Sequence, residues 1–521
     1  MERSLKPVSA NPELLERIKR SKAMLKEGKA LPSIANEMLV DLDSLSLILN
    51  KSPESAYELM RASRELAVAI GNRKALVLLV DFPDKAATQT KKHYQDMLFS
   101  SGVYPGGSLT DFYKEASYNQ LNITGDVFGQ GVTVGWYRAP SSSSYYAGDN
   151  FGIYGKYPNN AQKLVEDVVA LAASQVNYAN YDNDRDGVVD ALFVVHAGAG
   201  AEVTGKKSDI WSHQWGINPK TYNGVKVSTY SMEPEDGKIG VFCHELGHVF
   251  GLPDLYDYGY DSAGTGAWDL MAAGSWGNGG NTPAHQIGWC KTKLGWINPT
   301  VIFNSQQTVT IKPFATNAQL IKVPIGSLTS KEYFLLENRK RVGFDYYLPG
   351  EGLLITHVDE NKVNNDDQTH YLVAIEQCDG KLDLEKNANA GDSKDPYPCA
   401  GNVAFSVSTN PNSKAYGGAD SKITISNIQR SGENIIATIN MGGVVTPTWY
   451  NSKKVLQTYA ACSTQWAWAY ISDVPGGWKQ INAGSPDGVT NLFTLCCNAQ
   501  AKGKSVNVYA DDKYIYQMYI I

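Results

Sequence analysis

A chain of 521 residues, 43% hydrophobic and 19% charged, can bury a sizeable core, and its length fits about three to four domains. Its net charge of -6 argues against nucleic acid as a main partner and gives no pull toward anionic membranes. No apolar run approaches the roughly 20 residues of a membrane span, and Met1-Glu2-Arg3-Ser4-Leu5-Lys6-Pro7 lacks the apolar run of a secretory signal.

Residues 1–72 read as a helical, charged segment. Pro12–Arg20 and Ala56–Arg61 carry good helix formers at helical spacing. Two readings stand side by side: a pro-segment lying over a downstream cleft, or an N-terminal helical elaboration. A catalytic domain is expected over 73–296. It begins with Ala75-Leu76-Val77-Leu78-Leu79-Val80-Asp81-Phe82, a continuous apolar run fit for a central strand. Leu109–Ala116 and Asn160–Val169 read as helices, and Ala191–His196 as a second buried strand. Strands alternating with helices indicate an α/β sandwich.

Before that second strand stands Asp182-Asn183-Asp184-Arg185-Asp186-Gly187-Val188-Val189-Asp190. Its spacing matches the first part of a Ca²⁺ loop, but Phe193 replaces the bidentate glutamate. The expectation is a Ca²⁺ site from Asp182, Asp184, Asp186, the carbonyl of Val188 and Asp190, against the alternative of a solvated acidic turn. Four carboxylates in nine residues repel one another, and Arg185 offsets only part of that. His196 is expected to pack or cap. Glu202, in the glycine-rich loop beyond, is a candidate to lie along a cleft. For His213, His285, Tyr230 and Tyr256 a structural role is expected, with transition-state contacts as the alternative.

The stretch Cys243-His244-Glu245-Leu246-Gly247-His248-Val249-Phe250-Gly251-Leu252-Pro253-Asp254 contains H-E-x-x-H. Histidines four apart on a helix project from one face and can share one Zn²⁺. Glu245 is placed to take a proton from a metal-bound water. Ile239, Phe242, Leu246 and Val249 form an apolar stripe at helical spacing, leaving His244, Glu245 and His248 on another face. Gly251 can adopt the positive φ that ends a helix, and Pro253 cannot continue one. The chain therefore turns after His248 and can return Asp254 as a third ligand. Cys243 reads as a small core residue, since adjacent helix positions point about 100° apart.

From Ile297 to Met441 short alternating runs suggest a β-rich domain. Gly442-Gly443-Val444-Val445-Thr446-Pro447-Thr448 reads as a linker to a small β-rich domain over 442–521. Its Trp449, Trp466, Trp468 and Trp478 are expected in a core, with carbohydrate or surface contact as the alternative. Among seven cysteines, Cys378 and Cys399 flank a loop that a disulfide could close, and one pair among Cys462, Cys496 and Cys497 is plausible.

The motif from His244 to Asp257 resembles the zinc motif of the immune inhibitor A-like metallopeptidases, within the metzincin group. Gly266–Trp276 resembles the group's Met-turn, with Met271 under the metal. Asp209–His213 and Glu332–Arg339 are further matches, and the likeness covers roughly 75–440. Most metzincins have a third histidine where this chain has Asp254. The resemblance implies an α/β metzincin-like zinc peptidase domain followed by β-rich domains, a secreted endopeptidase, and protein or peptide substrates. A thiolate from the N-terminal segment cannot cap the zinc, since no cysteine precedes Cys243. The competing expectation is a non-catalytic surface-binding protein with a structural zinc. Glu245 argues against it, because a structural site needs a fourth ligand and no base.

Overall fold

The computed structural model describes residues 5–27, 40, 45, 47, 69–130, 135–303, 305–441, 447–460, 466–474, 477–482, 486–511 and 514–521. The expected helix at Ala56–Arg61 lies outside these residues, as does Cys462.

Seven strands form the first sheet: β1 (Lys6–Pro7), β2 (Gly71–Asp81), β3 (Leu121–Phe128), β4 (Tyr137–Arg138), β5 (Leu192–His196), β6 (His213–Tyr222) and β7 (Val225–Pro234). Their order is β1-β6-β7-β5-β2-β3, with β4 beside the end of β2. The pairs among β7, β5, β2, β3 and β4 are parallel, whereas β6 runs antiparallel to β7 and β1 antiparallel to β6. Strand β2 is buried from Ala75 to Asp81, which explains its unbroken apolar run: both faces of a central parallel strand are covered. Helices Lys91–Phe99, Leu109–Ala116 and Ala161–Ala172 join its core through Met97, Phe112 and Val165. Ser108 and Asp111 close a capping box on the second of these.

A second sheet combines β8 (Thr300–Val301), β10 (Ile321–Pro324), β11 (Glu332–Arg339), β12 (Gly352–Asp359) and β13 (Val373–Ile375) in the order β13-β12-β11-β10-β8. The third joins β9 (Gln306–Ile311), β14 (Ile423–Ser431) and β15 (Asn434–Met441). Alternation along the second sheet gives it two buried faces. Tyr333, Leu335, Leu354 and Val358 extend the peptidase-side core. Phe334, Leu336, Leu353 and Ile355 build a separate core with Ile425, Ile435 and Ile439 of the third sheet. The sequence pattern changes near residue 297, but the packing does not break there. Cys378 and Cys399 are disulfide-bonded.

The last region is a closed barrel of β16 (Thr448–Ala460), β17 (Ala467–Ile471), β18 (Trp478–Ile481), β20 (Tyr514–Ile520) and β19 (Ser505–Ala510). Its core is aliphatic and small: Val455, Ala469, Ile471, Ile481, Val506, Val508 and Ile515. This corrects the expectation for its tryptophans. Trp449, Trp466 and Trp478 are exposed and Trp468 is half-buried, because the inward positions of so narrow a barrel take smaller side chains. Cys496 and Cys497 are free thiols. Among the described residues no helix is long and apolar enough to cross a membrane.

Candidate metal centre

The helix Ile239–Val249 is buried from Ile239 to His248, on every side rather than along one stripe. Its C-terminal end is a Schellman turn. The Leu252 N–H donates to the Gly247 carbonyl at 3.1 Å and the Gly251 N–H to the His248 carbonyl at 2.9 Å, with Gly251 at φ 93°. That turn delivers the Leu252 carbonyl to His248, whose Nδ1 lies 2.8 Å from it. His244 Nδ1 lies 2.9 Å from the Leu270 carbonyl. A carbonyl only accepts, so both rings carry hydrogen on Nδ1 and turn a bare Nε2 lone pair inward.

Asp254 arrives on the same side. Its Oδ1 stands 3.0 Å from His244 Nε2 and 3.2 Å from His248 Nε2, and the two Nε2 atoms are 3.1 Å apart. A tetrahedral ion with bonds of about 2.0–2.2 Å needs ligand atoms about 3.3 Å apart, so the triangle fits one such ion. The other carboxylate oxygen, Oδ2, accepts from the Tyr258 hydroxyl. Both oxygens of Glu245 are buried without a hydrogen-bond partner, as is Asp254 Oδ1. Orphaned buried carboxylate oxygens cost free energy unless a cation or its ligands answer them, and that is the observation by which these residues suit a metal.

The floor of the site comes from the turn at Leu270–Met271. Met271 Sδ fills the notch left by Gly247, where an added Cβ would lie 2.6 Å from the sulfur. The Met271 carbonyl accepts from the Leu255 N–H at 2.8 Å, tying this turn to the segment that carries Asp254. Arg339 of β11, fully buried, donates from Nη1 to the Trp268 carbonyl and to Glu337, and from Nη2 to Asp345.

Residues 67–297 match the family model for the immune inhibitor A peptidase M6 catalytic domain. This stretch is similar to immune inhibitor A-like metallopeptidases. Over 301 residues the chain is 32% identical to the pre-pro-metalloprotease PrtV of Vibrio cholerae serotype O1, covering 45% of this chain and 32% of that protein. Over 260 residues it is 31% identical to immune inhibitor A of Bacillus thuringiensis subsp. alesti, covering 40% of this chain and 38% of that protein. The chain thus spans about a third of the length of the curated relatives it matches.

The N-terminal residues lie against this candidate metal centre. Strand β1 adds antiparallel to the free edge of β6, with Lys6 opposite Gln214 and Pro7 opposite His213. Three side chains donate to successive carbonyls of the segment: Tyr256 to Pro7, Trp211 to Val8 at 2.8 Å and Trp276 to Ser9 at 3.1 Å. Asn11 then caps the helix Pro12–Lys26. Lys6 is buried, and its Nζ donates at 3.2 Å to the Leu252 carbonyl that also faces His248. Burial pulls the Lys6 ammonium below its ordinary range, against the opposing charges of Asp254 and Glu245.

The acidic loop of the peptidase domain gathers Asp182, Asp184 and Asp190 within 4.8 Å of one another. Asp186 stands outside that group, and its carboxylate accepts the Val188 N–H at 2.8 Å. Val188 itself bridges to Lys226. Asp182 Oδ1 has no partner. Asp257 serves its own turn, accepting from Gly259 and Ser262. Glu202 does not line an open cleft: it is fully buried and holds Ser212 through its N–H at 3.0 Å and hydroxyl at 2.6 Å. His213 bridges the Trp211 carbonyl and the Tyr230 hydroxyl, and burial pulls its pKa down to about 3. His196 faces the Ala197 carbonyl, and His285 lies against Glu115 and Lys291. Cys243 is a core residue. Sequence reasoning missed Tyr258 and Lys6. A tyrosine one helical turn past a candidate ligand was a weak signal for the first, and no local signal marked the second.

Proposed function

We propose that this chain is a secreted, metzincin-like zinc endopeptidase acting on proteins or peptides. The observation that carries the reading is the convergence of two bare imidazole nitrogens and one carboxylate oxygen within 3.2 Å, beside a glutamate with both oxygens unanswered. His244, His248 and Asp254 would hold Zn²⁺, which would supply Lewis-acid chemistry there. Glu245 accepts the proton of the attacking water on its carboxylate and hands it to the leaving amine. Tyr258 fixes the orientation of Asp254. The leucine carbonyls at 252 and 270 keep both imidazoles in the metal-binding tautomer. Three ligands with an adjacent unpaired base suit an open catalytic site better than a closed structural one. Casein hydrolysis with metal content measured before and after a chelator tests the reading. Turnover that survives complete metal removal sinks it.

The N-terminal segment favours the pro-segment over the helical elaboration. Its strand fills the β6 edge as a peptide would, and Lys6 reaches the carbonyl beside His248. We read residues 5–26 as an intramolecular cover of the cleft. Cleavage after residue 27 should raise the hydrolysis rate at unchanged metal content. An unchanged rate removes the latency reading and leaves the peptidase reading standing. For the acidic loop, Asp182, Asp184 and Asp190 are the residues we assign to a Ca²⁺ ion, with Asp186 dropped from the set.

A further inference from the structure

The C-terminal barrel has the connectivity of an OB-type fold. Its first strand, β16, pairs with its fourth, β19; its third, β18, runs parallel to its fifth, β20; and the helix Pro486–Ala501 lies between third and fourth. Barrels of this kind take ligands across the outer face of their second and third strands. On that face the alternation is explicit. Ala467, Ala469 and Ile471 point into the barrel core, which turns Trp468 and Tyr470 outward; buried Lys479 and Ile481 likewise leave Trp478 and Gln480 outward.

Register assembles these side chains into two rows across three strands. One row is Tyr459–Trp468–Gln480 and the other Gln457–Tyr470–Trp478. Trp466, exposed just before β17, stands two residues ahead of Trp468. Tyr459, Trp466 and Trp478 are 57%, 58% and 39% exposed, so the rings present area to solvent rather than to a core. The rings are also held in place. Tyr470 meets Trp478 edge-on at 5.8 Å, and it lies so close over Gly477 that a Cβ there would stand 2.8 Å from the ring. A contiguous aromatic surface of this extent marks a binding site.

We propose that this face binds a neutral polysaccharide. The C–H faces of pyranose rings would stack on Tyr459, Trp468, Trp478 and Trp466, with Gln457 and Gln480 hydrogen-bonding the hydroxyls. Charge selects the occupant. The outward residues at 457–460, 466–471 and 478–481 include no lysine, arginine, aspartate or glutamate. Single-stranded nucleic acid would need a cationic track along the rings for its phosphates. Amides beside aromatics instead match a ligand of uncharged hydroxyls. The proposal does not rest on the peptidase reading.

The test is depletion of the full-length chain from solution by insoluble cellulose, chitin and β-1,3-glucan, at low and high salt. Retention on at least one glycan, unchanged by salt, is expected. The double variant Trp468→Ala, Trp478→Ala should weaken it about tenfold or more, while Trp468→Tyr, Trp478→Tyr retains most of it. Trp449→Ala should leave it unchanged, because Trp449 packs at a tilt against Tyr509 and Tyr519 on other strands. Should the alanine pair fail to fold, tryptophan fluorescence of the unaltered chain titrated with oligosaccharides of the retaining glycan reads the same face, and a saturable change is expected. No retention on any of the three, alanine variants that bind as the wild type, a flat titration, or binding to oligo(dT) that falls with salt would overturn the proposal.

Discussion

The two clusters of candidate metal ligands in this molecule are assembled differently. His244, His248 and Asp254 are wholly buried, whereas Asp182, Asp184 and Asp190 stand partly in solvent. In the buried cluster every atom pointing away from the convergence has a fixed partner: Leu270, Leu252 and Tyr258. The acidic loop uses its carboxylates partly on itself. Asp182 accepts from Gly187, Asp184 from Asp186 and Asp190 from Asn183. Asp184 is open to water, while Asp182 Oδ1 is buried without a partner. The lesson is that burial makes an unanswered ligand atom costly and hence informative, while exposure lets an acidic loop keep its shape without an ion.

The largest effect that would break this contrast is at Asp254. Asp254→Ala should lose zinc on dialysis and with it all hydrolysis, whereas Asp257→Ala should keep its metal. Metal analysis of the two decides, and equal retention removes Asp254 from the centre. Next is Glu245→Ala, expected to hold about one zinc per chain while turnover drops by roughly 10²–10⁴-fold. Near wild-type turnover would discard the base. Tyr258→Phe sharpens the role of the atoms around the ligands: zinc affinity should fall by about 10–100-fold, the usual loss for a group that orients a ligand. A competitive chelator titration measures this, and an unchanged affinity means Asp254 needs no such support. Smallest is the acidic loop. Binding to the folded state alone contributes about 2.7 kcal/mol at 100-fold excess over Kd. Millimolar Ca²⁺ should therefore raise the melting temperature of the zinc-loaded protein by on the order of 5 °C. Asp184→Ala with Asp190→Ala should abolish that rise and leave zinc content unchanged. Identical melting with Ca²⁺ and with a Ca²⁺-selective chelator leaves only an acidic turn.

What was legible in the sequence was local. Helical spacing, Gly251 and Pro253 sufficed to anticipate the helix, its end and the return of Asp254, since a Schellman turn is written within six residues. The central strands β2 and β5 announced themselves as apolar runs, because both their faces are covered. The apolar stripe on the metal helix, however, hid the fact that its opposite face is equally buried, against the Met271 turn. Counting carboxylates in the acidic loop cannot tell which of them converge, and Asp186 stands outside the group of three. Lys6 and Arg339 were invisible as site neighbours, since 246 residues separate Lys6 from the carbonyl it meets. The aromatic C-terminal region was taken for a core because composition does not reveal which side of a strand each ring occupies.

The double-faced second sheet has a consequence for where the unit carrying the candidate metal centre ends. The segment that matches the family model stops at residue 297. The floor beneath the histidines is nevertheless held from Arg339, and Tyr333, Leu335, Leu354 and Val358 complete the core on which that floor rests. A protein cut at 297 would expose those partners' apolar contacts to water and leave the Trp268 carbonyl without its guanidinium. The unit that carries the candidate metal centre is thus longer than the matched segment, and its minimal soluble form should reach Met441, where the third sheet seals the far face.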